Sequence, residues 1–596
     1  TLITSSIIDS LIEIKRNLRS ASIISGFIAF AIGLLITQGK VSIPFFNFAY
    51  FMPNKIEGVG AWLYEDTIKG FLVPNFSAFL TYFLPIWILV LIYLFKFKKE
   101  EEEVFKRGSK IQSSKEVIKA IHKYIKKSKD THRLELGVEK LPMPENQLVK
   151  NTLLVAMPGA GKTQALYSFL MGNVNSKGKK LTNGLSDFME TIICYERKGS
   201  DFINPLYRRG IDYLFDPRDI NTIKWNIFQD MLNNDNSINE DMVDFFVNSV
   251  APVNKESKSA HFEEQAQSVI KALFLSIAGS NNANNQALID FLRENPTPKE
   301  LRNALITNET VILYGADNAV IGALTVDKNG DLDNQATSVY ATCNKIFKAL
   351  SHRAFYYSEG NFSVRSFIKN LENKNNDIRL FIVNTAETSG SYNTYFILFF
   401  SLLFKHILSL QNSKSRKIHL ILDELMSLNS KYLINELVST LSESRSKGLN
   451  CMVSFQGLTQ VAEIVGEHVM KSLFQMCGTK IVLQYSEPFG QKILTQFLGE
   501  KEVERKKFGI NKTGEISQDR ISENEEEKLK KVVLESEFSN LEPLEGFIKI
   551  GNFPVCKIHF GYQEPKSICV PLIRRELPFF RGVDKEEKGI NGEFMA

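Results

Sequence analysis

Residues Asn151 to Gln164 read NTLLVAMPGAGKTQ: an apolar run stops at Pro158-Gly159-Ala160-Gly161, and Lys162 and Thr163 follow at once. A short apolar run closed by turn residues predicts a buried strand. The following QALYSFLMG predicts a helix. Two glycines between a strand and a helix let successive N–H groups curl inward, and the helix adds its positive N-terminus. That cradle suits phosphate oxygens. Lys162 is then placed for β and γ phosphates, and the Thr163 hydroxyl for Mg²⁺. The loop expected to hold ATP is Ala156, Met157, Pro158, Gly159, Ala160, Gly161, Lys162, Thr163 and Gln164. Ala156 stands where the stricter pattern has Gly, and a methyl group is accommodated there. The simpler reading, a Gly-rich turn without a ligand, leaves the Lys-Thr pair unexplained.

Such a loop needs a carboxylate for the metal on a nearby strand. Lys417 to Leu425, KIHLILDEL, supplies one where the apolar run ends in Asp423 and Glu424. Asp423 is expected to hold Mg²⁺ through water, and Glu424 to polarise the attacking water. An acidic pair after a strand also serves as a helix N-cap. The next helical stretch, YLINELVSTLSESRSKG, carries Arg445 and Lys447 in its last turn before Gly448. Cations and a capping glycine suit any helix C-terminus. The functional alternative for Arg445 is a finger presented to the γ-phosphate of a neighbouring subunit. Asn450 to Gln456, NCMVSFQ, then predicts a strand ending in Gln456, a place suited to sensing a γ-phosphate or to no role at all.

Ala21 to Gln38 and Ser77 to Phe95 carry no charge. Each approaches the roughly 20 residues that cross a bilayer core. Lys15, Arg16 and Arg19 precede the first and Lys96 to Lys99 (KFKK) end the pair, whereas the segment between is Phe-rich with few basic residues. The positive-inside bias places both termini in the cytoplasm. Expected boundaries are a cytoplasmic N-terminus 1–20, transmembrane helices 21–38 and 77–95 around a periplasmic loop 39–76, and a charged linker 96–130. From 131 short apolar runs alternate with helical stretches, the pattern of a parallel sheet covered on both faces. The fold class is therefore α/β, with a nucleotide-binding domain at 131–230 and 356–575. An all-helical insertion at 231–355 interrupts it, and a polar tail occupies 576–596.

Charge and cysteines narrow the class. A net charge of +5 neither demands nor excludes nucleic acid. Six cysteines without a CxxC pair read as reduced thiols, and scattered histidines supply no metal pair.

Together these residues resemble the coupling proteins of type IV secretion and conjugation, the TraD/TrwB-like membrane-anchored ATPases. The likeness runs from the two-helix anchor through the loop at Ala156–Thr163 and YERKGSDF (Tyr195 to Phe202), where Glu196 stands in place of the family's usual Asp. It continues through the DEL at Asp423, SESRSKGL (Ser442 to Leu449), the Gln456 strand and MCGTKIVLQ (Met476 to Gln484). The resemblance implies a RecA-like motor domain in a homo-hexameric ring at the bacterial inner membrane. It also implies a trans-acting Arg445 and a sensing Gln456. Implied partners are DNA gripped without sequence preference in the ring channel, relaxosome or effector proteins, and secretion-channel components. Two other functions fit the sequence less well. An FtsK-like DNA pump usually has more membrane helices and a C-terminal winged domain, and a substrate receptor switched by ATP would not need a full hydrolytic set.

Overall fold

The computed structural model describes residues 104–580, apart from 176–178, 255–256, 329–330, 358, 373–376, 512–519, 571 and 578–579. The predicted transmembrane helices at 21–38 and 77–95 lie outside the described residues, as does most of the polar tail. Among the described residues no helix is long and apolar enough to cross a membrane.

Two units are distinguished. The smaller includes most of a three-stranded sheet of β1 (Val104–Gly108), β11 (Glu500–Asn511) and β12 (Arg520–Lys531). The larger opens with a helix, Ser114–Ser128, and a hairpin of β2 (His132–Leu136) and β3 (Leu141–Pro144). Residues 104–130, read from sequence as charged linker, thus form a strand and a helix instead. A capping box between Ser113 and Glu116 starts that helix, and Val117 and Ile121 bury its apolar stripe. The lysines occupy its other face, which is why charge content alone suggested a solvated segment.

The larger unit is built on nine strands. They are β4 (Thr152–Val155), β5 (Thr191–Glu196), β6 (Tyr213–Phe215), β7 (Arg379–Val383), β8 (Ile418–Asp423), β9 (Leu449–Phe455), β10 (Thr479–Leu483), β13 (Glu545–Ile550) and β14 (Cys556–His559). Their order is β14-β13-β10-β4-β9-β8-β5-β7-β6. Pairing is parallel from β10 to β6, and β13 and β14 add an antiparallel edge. This edge hairpin was not foreseen, because its short runs carry no distinguishing motif.

Side-chain alternation divides the sheet into two faces. Leu153, Val155, Ile193, Tyr195, Leu420, Leu422 and Val453 join one apolar cluster. Leu154, Ile192, Cys194, Ile421 and Met452 join the other, with Ala165, Phe169 and Leu170 of helix α1 (Lys162–Leu170). The chain between β6 and β7 is helical, including α2 (Glu240–Val250), α3 (Ala260–Ala278) and α4 (Asn334–Leu350). Its Phe246, Phe274 and Phe347 belong to the same cluster as Phe215 of β6 and Phe396 and Phe399 of α5 (Asn393–Ser409). The insertion therefore shares the sheet's core instead of building its own.

Candidate nucleotide site

The site is assembled at the C-terminal ends of β4, β8 and β5, on the face covered by α1. Between β4 and α1 the chain turns through Gly159 and Gly161, both left-handed at φ 81° and 101°. A side chain at Gly161 would also strike Leu544, whose N–H donates to the Ala160 carbonyl at 3.0 Å. Gly161 is thus required by conformation and by space. The loop is further held where Ala156 and Met157 donate to the carbonyls of Phe455 and Gln484. Gln164 and Gln563 exchange two hydrogen bonds, 3.0 and 2.8 Å.

Lys162 is nine-tenths buried, and its Nζ lies 2.9 Å from both Asp423 Oδ1 and Glu424 Oε2. Burial opposes its charge, but the two carboxylates outweigh it and hold the ammonium above the ordinary lysine range. Asp423 Oδ1 also accepts from Ser454 Oγ at 2.9 Å. Glu424 has φ 66°, a left-handed backbone that a non-glycine residue adopts only when its surroundings impose it. The chain leaves β8 through this residue into a single 3-10 turn, Leu425–Leu428, which Glu424 precedes without a side-chain capping hydrogen bond. The acidic side chains of Asp423 and Glu424 thus point to Lys162 and do not cap that turn, and the next α-helix, α6 (Lys431–Glu443), is capped by Ser430.

The other carboxylates near the site come from β5 and the loop after it. Thr163 Oγ1 donates to Asp201 Oδ2 at 3.3 Å, and Lys198 Nζ lies 2.7 Å from the same oxygen. Glu196 is fully buried and accepts from the Phe202 N–H at 2.7 Å. Burial, reinforced by Asp201 and Asp423, pushes its carboxyl up to about 8. The donor set around Thr163 is all oxygen, which fits a hard cation such as Mg²⁺. Among the described residues no three His, Cys, Asp or Glu side chains converge to hold a metal alone. A cation here would draw the rest of its shell from water and phosphate.

Arg445 and Gln456 stand apart. Arg445 is exposed in the turn Ser444–Lys447, at the N-terminal end of β9, with Gly448 (φ 84°) closing it. Gln456 follows β9 at the opposite end, next to β4 and β8, and is half-buried. Neither side chain has a hydrogen-bond partner among the described residues. Sequence reading noted Glu196 only as a substitution and missed Asp201 and Ser454; their proximity to Thr163 and Asp423 depends on strand order, which no local pattern encodes.

Residues 135–561 match the family model described as the type IV secretion-system coupling protein DNA-binding domain. The coupling protein TraD of Escherichia coli K12 is 20% identical over 522 residues, covering 87% of this chain and 66% of TraD. The chain thus spans about two-thirds of that relative's length. The fold is similar to that of the bacterial conjugative coupling protein TrwBdeltaN70, with a TM-score of 0.61, 19% identity, and 79% of this chain and 97% of that one covered. Solved structures of TrwB with the non-hydrolysable ATP analogue ADPNP, and with ADP and Mg²⁺, match with the same TM-score. With strand-to-helix loop, acidic strand end and helical insertion all inside the matched span, this chain belongs to the type IV secretion-system coupling protein family.

Proposed function

We propose that the chain hydrolyses ATP and uses it to move DNA, with attached or separate protein substrates, into a type IV secretion channel at the bacterial inner membrane. The observation that carries this reading is Lys162 between Asp423 and Glu424, 2.9 Å from each, at the mouth of a glycine loop. The same ammonium that neutralises two carboxylates suits the β and γ phosphates, and would exchange one set of anionic partners for the other. Backbone N–H groups from Gly159 to Lys162 and the α1 N-terminus add donors. Mg²⁺, held at Thr163 and through water at Asp423, would neutralise charge on the phosphate oxygens. Glu424 would polarise the attacking water, and Gln456 would contact the γ-phosphate. Arg445 would reach the site of a neighbouring copy in a hexameric ring. DNA would pass through the ring held by its phosphates, without sequence preference and with steep salt dependence.

Membrane anchoring by residues 21–38 and 77–95, with both termini cytoplasmic, belongs to the same reading. A reporter active only outside the inner membrane should be active when fused near Asn54 and silent after Lys110. The reverse pattern would refute that topology. Function is tested on the detergent-solubilised full chain: ATP hydrolysis should rise on addition of DNA, and the rise should vanish at high salt. Absence of hydrolysis with DNA and Mg²⁺ present would overturn the proposal.

A further inference from the structure

Two acidic residues, Asp201 against Thr163 and Glu196 next to Asp423, have no part in the proposed hydrolysis. Glu196 ends β5, and its predecessor Tyr195 pairs with Leu422 of β8, so Glu196 neighbours Asp423 across the sheet. Alternation sends both side chains to the α1 face, as Cys194 and Ile421 show. Glu196 Oε2 accepts from the Phe202 N–H at 2.7 Å, which anchors the loop between them. Its Oε1 is buried and has no hydrogen-bond partner among the described residues. Anchoring the loop explains one oxygen only. An unpartnered buried carboxyl oxygen is costly to fold around and leaves a hydrogen-bonding position open. Asp201, at the far side of the same loop, takes the Thr163 hydroxyl at 3.3 Å. Pairing with Lys198 explains its charge but not that hydroxyl contact.

We propose that Asp201 and Glu196 are positioning residues of the cation site. Asp201 accepts the Thr163 proton and so turns the hydroxyl lone pairs outward to a divalent cation. Glu196 Oε1, beside Asp423 on the neighbouring strand, would hydrogen-bond a water in that cation's shell. Small hard cations keep several waters and rely on carboxylates to orient them. The loop from Arg197 to Asp201 then ties the β5 edge to the same cation as Asp423 on β8. This inference rests on the nucleotide reading of the loop at Gly159–Thr163.

The full solubilised chain is titrated with a fluorescent ADP analogue in EDTA, and then with Mg²⁺ at fixed nucleotide. Asp201→Asn and Glu196→Gln should each keep the parental affinity in EDTA and raise the Mg²⁺ needed for half-saturation about tenfold or more. Glu196→Gln keeps an acceptor for the Phe202 N–H. Asp201→Asn, on a partly exposed loop, decides alone if that variant fails to fold. Unchanged Mg²⁺ half-saturation overturns the assignment for the residue concerned. An equal loss of affinity with and without Mg²⁺ also overturns it, since that marks a structural role. A parental chain that binds no nucleotide in either condition refutes the nucleotide reading itself, a result distinct from either.

Discussion

Lys162 and Arg445 are both cations beside the same parallel sheet, but they occupy opposite ends of it. Lys162 follows β4 at the C-terminal edge, buried between two carboxylates of its own chain. Arg445 precedes β9 at the N-terminal edge, exposed and without a hydrogen-bond partner among the described residues. At about 3.3 Å per residue, β9 alone separates the two edges by about 20 Å. An arginine side chain does not span that height, so Arg445 cannot serve the site of its own chain. Lys162 thus meets its anionic partners within one copy, whereas Arg445 meets none there; under the proposed mechanism the arginine acts on a phosphate held by another copy.

The largest effect is expected from Arg445→Ala. The variant should bind ATP nearly as the parent does and lose about 10³-fold or more in turnover. Mixing it with Glu424→Gln subunits, each inactive alone, should restore part of the activity, because some interfaces then join an intact Glu424 to an intact Arg445. No recovery in demonstrably mixed oligomers would leave Arg445 as a helix-terminal cation only. Glu424→Gln alone should keep nucleotide binding and slow hydrolysis about 10²- to 10⁴-fold. Parental turnover in that variant would refute Glu424 as the group that polarises water. Lys162→Ala removes charge-assisted bonds and should weaken ATP binding on the order of 100-fold in equilibrium titration. It also leaves Asp423 and Glu424 without their cation, and the folded chain should melt earlier.

His406 offers a control on the opposite face, where no ligand is expected. It lies on α5, buried, and Nε2 has no partner among the described residues. Burial lowers its pKa to about 4, with Arg365 and Lys405 in the same direction and Asp230 opposing. The native imidazole is thus neutral at pH 5, while the unfolded one, titrating near 6.5, binds a proton. Stability should therefore fall as pH drops from about 6.5 to about 4, by about 2–3 kcal/mol. His406→Gln should flatten that part of the melting profile while nucleotide affinity stays parental. Gln456→Ala is the smallest effect: loss of one neutral hydrogen bond to the γ-phosphate should slow turnover about fivefold. An unchanged rate would make Gln456 a strand-end residue without a role.

Local chemistry was enough to read the loop at Gly159–Thr163, because the glycine conformations, the lysine and the hydroxyl are consecutive. Asp423 and Glu424 were legible as the end of an apolar run, and the seven parallel strands as short apolar segments. The amphipathic helix Ser114–Ser128 was misread, since its buried Val117 and Ile121 are outnumbered by lysines on the solvent face. Tertiary structure alone decided what meets across the sheet. Strand order β4-β9-β8-β5 brings Ser454 to Asp423 and Glu196 beside it, although more than 200 residues separate β5 from β8 in the chain. It also decided the height that parts Arg445 from Lys162. Propensity and periodicity act over a few residues and can name the groups, whereas the distances between groups come from which strands pair, a choice made by burial over the whole sheet.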